Sequence, residues 1–131
     1  EKLKILAEIS VGELYDKITI LNIKLKKIND PNKLKNIKIE LDALVQQSNK
    51  LILKDDEILK KNIQKLQDIN EELWDIENAK RECEANKEFG EIFIKISRDV
   101  HFKNDIRASI KKEINLLSNS KITEEKEYSK Y

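Results

Sequence analysis

Lys103 and Arg107 stand four residues apart in a stretch whose neighbouring apolar positions, Val100 and Ile110, keep a helical rhythm. Cations spaced that way share one helix face, and a forked guanidinium beside an ammonium can hold a carboxylate or a phosphate. Lys111 closes the same stretch, and Asp105 follows His101 by four, a spacing at which the two side chains can pair. Glu13 and Asp16, three apart near the start of the chain, supply acids that can lie opposite these cations. Glu13, Asp16, Lys103, Asp105, Arg107 and Lys111 are therefore the candidate binding set, and the ligand class is a small anion. Two structural readings compete with it. Lys and Arg can lay their stems along apolar surface with the charge in water, or they can form a polar layer that sets helix register.

Other chemistry finds less support. Acid pairs at i,i+3 can hold a divalent metal, as in all-helical nucleotide pyrophosphatases, and Glu13/Asp16 and Glu72/Asp75 have that spacing. The chain holds five such pairs, and random placement of its acids predicts about the same number, so solvated surface accounts for them. A ferritin-like iron site needs Glu-x-x-His from two helices; the residue three before His101, the one histidine, is Arg98. Cys83, the one cysteine, falls among apolar positions and reads as a small buried filler. Nucleophilic catalysis needs a base and an orienting group beside the nucleophile, and no glycine-rich loop is present to cradle phosphate. No catalytic residue, metal or cofactor is expected.

The elements that must position these residues are helices. Gly (2) and Pro (1) are scarce, charged residues make up 39% of 131 positions, and the 26 basic and 25 acidic residues are interleaved to a net charge of +1. Few breakers and many mixed charges suit long solvated helices and exclude a turn-rich sheet protein. A near-neutral mixed surface gives no footprint for nucleic acid or an anionic membrane, and no apolar run is long enough to span one. The length indicates a single domain over 1–131.

Val11, Leu14, Ile18, Leu21, Leu25 and Ile28 follow a 3-4-3-4-3 seam that must bury against another helix. Ser10 with Glu13 forms a capping-box pattern, and Asp30-Pro31 stops the first helix and starts the second. The predicted helices cover 11–29, 31–53, 56–86 and 89–118, with an extended or weakly strand-like lead-in at 3–9 and a polar tail at 119–131. Asp55-Asp56-Glu57 reads as a fresh helix start, although one unbroken helix from Pro31 to Asn86 fits the pattern too. The expected fold is all-α: an elongated antiparallel bundle of about four helices with coiled-coil-like heptad seams. Unequal helix lengths leave part of the long pair uncovered. Ile20, Ile23, Ile39 and Trp74 lie off the main seams. They point either to a first helix wrapped on two sides or to an intermolecular interface.

Several stretches, taken in order, resemble an uncharacterised family of small bacterial and phage helical proteins classed as a domain of unknown function. They are Ile9-Ser10-Val11-Gly12-Glu13-Leu14, Asp16-Lys17-Ile18-Thr19-Ile20-Leu21, Leu73-Trp74-Asp75-Ile76-Glu77, Phe89-Gly90, Asn104-Asp105 with Arg107-Ala108, Ile110-Lys111, and Glu124-Glu125-Lys126 with Tyr128. Residues 45–65 match least. The resemblance implies no activity; it does single out Ser10, Gly12, Glu13, Asp16, Lys17, Trp74, Asn104, Asp105, Arg107 and Lys111 as polar or small members of the family pattern. If the first and fourth helices pack together, Glu13, Asp16 and Arg107 can meet.

The function expected from all of this is a small cytoplasmic interaction or scaffold protein that self-associates, as a homodimer or with a protein partner. The alternative is an enzyme or ligand-binding accessory that uses the polar cluster of the fourth helix to hold a small anion.

Overall fold

The computed structural model describes residues 2–51 and 56–131. Four helices account for just under three quarters of the described residues: α1 Val11–Lys27, α2 Pro31–Asn49, α3 Glu57–Ala85 and α4 Glu91–Leu117. There is no strand among the described residues. Residues 3–9 form no helix, as expected of a lead-in, and pair with nothing as a strand. Of the predicted break between the second and third helices, Asn49 ends α2 and Asp56 caps α3; the predicted positions 52–55, including Asp55, lie outside the described residues.

The helix boundaries have local causes. Ser10 Oγ accepts from the Glu13 N–H at 3.0 Å. Only that half of the capping box forms, because the Glu13 carboxylate turns away to Lys111 and Lys17. Asp30 Oδ1 accepts from the Asn32 N–H at 2.9 Å, and Pro31 occupies the first turn, where its missing N–H has no partner to lose. Asp56 caps α3 through the Ile58 N–H at 2.9 Å. Both long helices end in a left-handed residue, Lys87 (φ 54°) and Asn119 (φ 55°). Behind these, Glu88 N–H reaches Cys83 C=O at 2.8 Å and Ser120 N–H reaches Asn115 C=O at 2.9 Å, which is the Schellman closure.

α1 is the hub: it contacts α2, α3 and α4, whereas α2, among the described helices, contacts only α1. The core is built from Leu59, Leu66, Ile69 and Ile114, with Val11, Tyr15, Ile63, Ile110 and Leu117 packed against them. Paired residues fix the directions. Glu13 meets Lys111 and Asp16 meets Arg107, so α1 and α4 run antiparallel; α3 and α4 do too, being joined by the short 86–90 turn and paired along their lengths, as Glu72 with Lys103.

The predicted seam of α1 is partly interior: Leu14 and Leu21 are buried, and Val11, Ile18, Leu25 and Ile28 are half-buried. A second stripe, Gly12, Asp16, Thr19 and Ile23, is buried as deeply and lies one helical face away. Burial of Ile23 to 1% exposure follows from α1 being wrapped on two sides within one chain. Ile39 of α2, by contrast, stays 60% exposed. Cys83 is buried, as a filler should be. α3, with 29 residues against the 17 of α1, is about 18 Å longer than α1 and ends at the α3/α4 turn. At that end Phe89, Ile92 and Ile94 are exposed, with Phe89 stacked edge-on against Phe93 at 5.5 Å.

Candidate functional site

The N-terminal half of α1 turns a small-and-polar stripe, rather than its leucines, toward α3 and α4. Asp16, at 1% exposure, is the centre of that contact. Its Oδ1 accepts from Asn70 Nδ2 of α3 at 2.9 Å and from Arg107 Nε of α4 at 2.9 Å, while Oδ2 accepts from Arg107 Nη2. Thr19, one turn on, donates its hydroxyl to the Asp16 carbonyl at 2.8 Å and accepts from Asn70 at 3.0 Å. Both Asp16 carboxylate oxygens and the Thr19 hydroxyl thus have partners, the condition under which a polar group in the interior is tolerated.

One turn earlier, Lys111 Nζ lies 2.6 Å from Glu13, 3.8 Å from Asp16 and 2.9 Å from Glu124. Lys17 reaches Glu13 from the solvent side at 3.5 Å. Around Gly12 the two backbones nearly touch: its N–H donates to Asn115 Oδ1 at 2.7 Å, and a Cβ there would sit 2.5 Å from the Lys111 carbonyl oxygen. Val11 N–H donates to Ser120 Oγ at 3.1 Å. The first three amides of α1, at residues 11, 12 and 13, are therefore all held by side chains, two of them from the far end of the chain.

The electrostatics follow from the geometry. Burial pushes the Asp16 carboxyl up, but hydrogen bonds from Arg107 and Asn70 and the charges of Arg107 and Lys111 outweigh it and hold it below the ordinary value. The bond to Asp16 raises Arg107 against the opposing effect of burial. Lys111 loses by burial and gains more from Glu13, Glu124 and Asp16, for a net rise. Glu124 is lowered, chiefly by Lys111. Three carboxylates, Glu13, Asp16 and Glu124, are matched by three cations, Lys17, Arg107 and Lys111. Asp16, clamped in this way, is a poor proton acceptor at neutral pH.

Of the six residues expected from the sequence, four converge: Glu13, Asp16, Arg107 and Lys111. Lys103 does not reach Glu13 or Asp16; it pairs with Glu72 of α3 at 3.0 Å. Asp105 is exposed and does not pair with His101; it accepts from the Tyr131 hydroxyl, while the His101 ring packs against Phe102 and Tyr131 at 4.4 and 5.0 Å. Asn70, Asn115, Thr19, Ser120 and Glu124 complete the network and were not singled out as binding residues by spacing. Asn70 and Asn115 each follow a seam residue, Ile69 and Ile114, and a polar amide beside a seam is the one trace they leave in the sequence. After α4 the chain doubles back along it, with Lys112–Glu125 at 3.7 Å and Tyr131 against Phe102. Between this strap and α4 lies an opening of about 240 Å³ lined by Lys111, Lys112, Asn115, Glu124 and Lys126 among others. No group of three metal-ligating side chains converges among the described residues, and no helix there is long and apolar enough to cross a membrane.

A family model described as a family of unknown function (DUF6165) matches residues 5–131, a span that takes in the polar network, the strap and part of the lead-in before α1. No curated protein and no solved structure matches the chain.

Proposed function

We propose that the chain, which belongs to the DUF6165 family of unknown function, is a small cytoplasmic interaction or scaffold protein that works by self-association. The observation that carries this reading is the placement of its uncovered apolar side chains. Leu3, Ile5 and Leu6 before α1 and Phe89, Ile92 and Ile94 at the α3/α4 turn are all more than half exposed. Ile39, Ile58 and Leu116 are exposed singly elsewhere; it is the grouping of three apolar residues at each of these two places that suits a contact surface. The polar network supports the same reading from the other side. Its charges are matched within the chain, so it suits a structural layer that locks α1 against α3 and α4. A cytoplasmic setting suits a chain whose one cysteine is buried and unpaired.

Sedimentation velocity and light scattering on the purified chain test this. Self-association gives a mass that rises with concentration and a helical melt that shifts upward with it. A monomer at every concentration overturns the reading.

A second reading, a small-anion accessory, rests on the opening beside the strap: an anion displacing the Glu124 carboxylate would meet Lys111, Lys112 and Lys126. A melting shift with inorganic phosphate that the Lys111→Met variant lacks would favour it.

A further inference from the structure

Residues 2–9 lie outside any helix, and every one of them is exposed. Among the described residues no backbone hydrogen bond joins them to the rest of the chain, and their one side-chain tie is the exposed Glu8–Lys121 pair at 3.5 Å. Leu3 is 96% exposed, Ile5 88% and Leu6 78%. A segment outside the helices, with its backbone donors and acceptors unused and its apolar side chains in water, is free to add as a strand to another chain. Its sequence also fits itself. When two copies of Leu3-Lys4-Ile5-Leu6-Ala7-Glu8-Ile9 are laid antiparallel with Leu6 opposite Leu6, Lys4 of each copy faces Glu8 of the other. On the opposite face, Leu3 meets Ile9 and Ile5 meets Ala7. Shifting the pairing by one residue sets Lys4 against Ala7 or Ile9 and loses both charge pairs.

We propose that this segment pairs with the same segment of a second copy of the chain, antiparallel and centred on Leu6, to form the two-stranded ribbon that joins a homodimer. The proposal rests on the self-association reading and specifies its surface. A two-stranded ribbon by itself is marginal, so the dimer is weak and in exchange with monomer. The partner is a second copy because charge and apolar pattern are complementary about the segment's own centre.

The test is sedimentation of the full chain and three variants. Lys4→Glu sets two acids against each other in both cross-strand pairs, and Glu8→Lys sets two lysines; each weakens dimerisation about tenfold. An equimolar mixture of these two variants regains the dimer, because every pair in the mixed species is again opposite in charge. The double variant K4E/E8K regains it as well. All three retain the native helical circular dichroism and, at concentrations where the native chain is monomeric, its melting, since the segment lies outside the core. Introducing cysteine at residue 6 (Leu6→Cys) yields a disulfide-linked dimer on mild oxidation, and Ile5→Cys yields markedly less. A native chain that dimerises equally well with and without the charge reversals overturns ribbon pairing and leaves self-association standing. A native chain that is monomeric throughout overturns both.

Discussion

The Arg107 guanidinium grips Asp16 with two nitrogens, Nε on Oδ1 at 2.9 Å and Nη2 on Oδ2, across 91 residues of sequence. The carboxylate end of the pair is 2% exposed and the guanidinium end 26%. Such a pair contributes little net stability against a well-packed apolar alternative, yet breaking it from one side leaves a poorly solvated charge without a counterion. Asp16→Asn or Arg107→Ala should therefore destabilise the chain by about 3 kcal/mol, at the lower end of the range for buried pairs because Arg107 keeps some water. The paired apolar replacement Asp16→Leu with Arg107→Met should cost clearly less than the two single changes added together. Urea unfolding of the three variants measures this. Arg107→Ala with unchanged stability and lost binding of a partner or anion would instead mark the network as a binding site.

The same clamp sets the pH dependence. Asp16 is lowered in the folded state, so the unfolded chain takes up its proton first as acid is added. Its stabilisation is complete above the unfolded value of about 3.9 and is lost as pH falls through the lower folded value. Lys111 is raised, so its contribution is complete below the unfolded value of about 10.4 and is lost as pH climbs through the higher folded value. Melting temperature should thus be flat from about pH 5 to about pH 10 as far as these two groups are concerned, with an acid limb that Asp16→Asn makes shallower. An acid limb identical in the native chain and in Asp16→Asn would show that Asp16 carries none of it.

The helices were legible because their signals are local. Ser10, the Asp30-Pro31 step, the 86–90 turn and the Ser118-Asn119-Ser120 stop all sit where the backbone changes direction. The interior of α1 was only half legible. Apolar periodicity finds Leu14 and Leu21 but cannot see that Gly12, Asp16 and Thr19 form an equally buried stripe, because a polar residue is buried only where a distant partner satisfies it. Asn70 lies 54 residues from Asp16, and Asn115 lies 103 from Gly12. Arg107 and Lys111 showed as cations near apolar neighbours, which is as far as spacing goes. Lys103 has the same pattern, and helix rotation and height along α4 send it to Glu72.

Lys87 holds a left-handed conformation (φ 54°) at the closure of α3, where a side chain has a steric penalty that glycine lacks. Its side chain is exposed, so little is lost by removing it. Lys87→Gly should stabilise the chain by about 0.5–1 kcal/mol, read as a rise in urea midpoint without a change in slope. A decrease would mean that the penalty at Lys87 is smaller than the entropy glycine adds to the unfolded chain.

Gly12 gives the opposite sign. Alanine is the better helix former by about 1 kcal/mol, so an exposed glycine in the first turn of a helix would be improved by the exchange. Here the added Cβ would lie 2.5 Å from the Lys111 carbonyl oxygen and 2.9 Å from Asn115 Oδ1, and the nearer atom is backbone that cannot swing aside. Relief requires α1 to move off α4, which stretches the Gly12–Asn115 hydrogen bond and the Lys111–Glu13 pair together. Gly12→Ala should therefore destabilise the chain by about 2–3 kcal/mol net of the propensity gain, and Gly12→Val by more. Asn115→Ala removes the nearest side-chain contact but not the carbonyl, so it should leave most of the Gly12→Ala penalty in place. If thermal melting shows Gly12→Ala neutral or stabilising, α1 and α4 do not approach as closely as this contact demands.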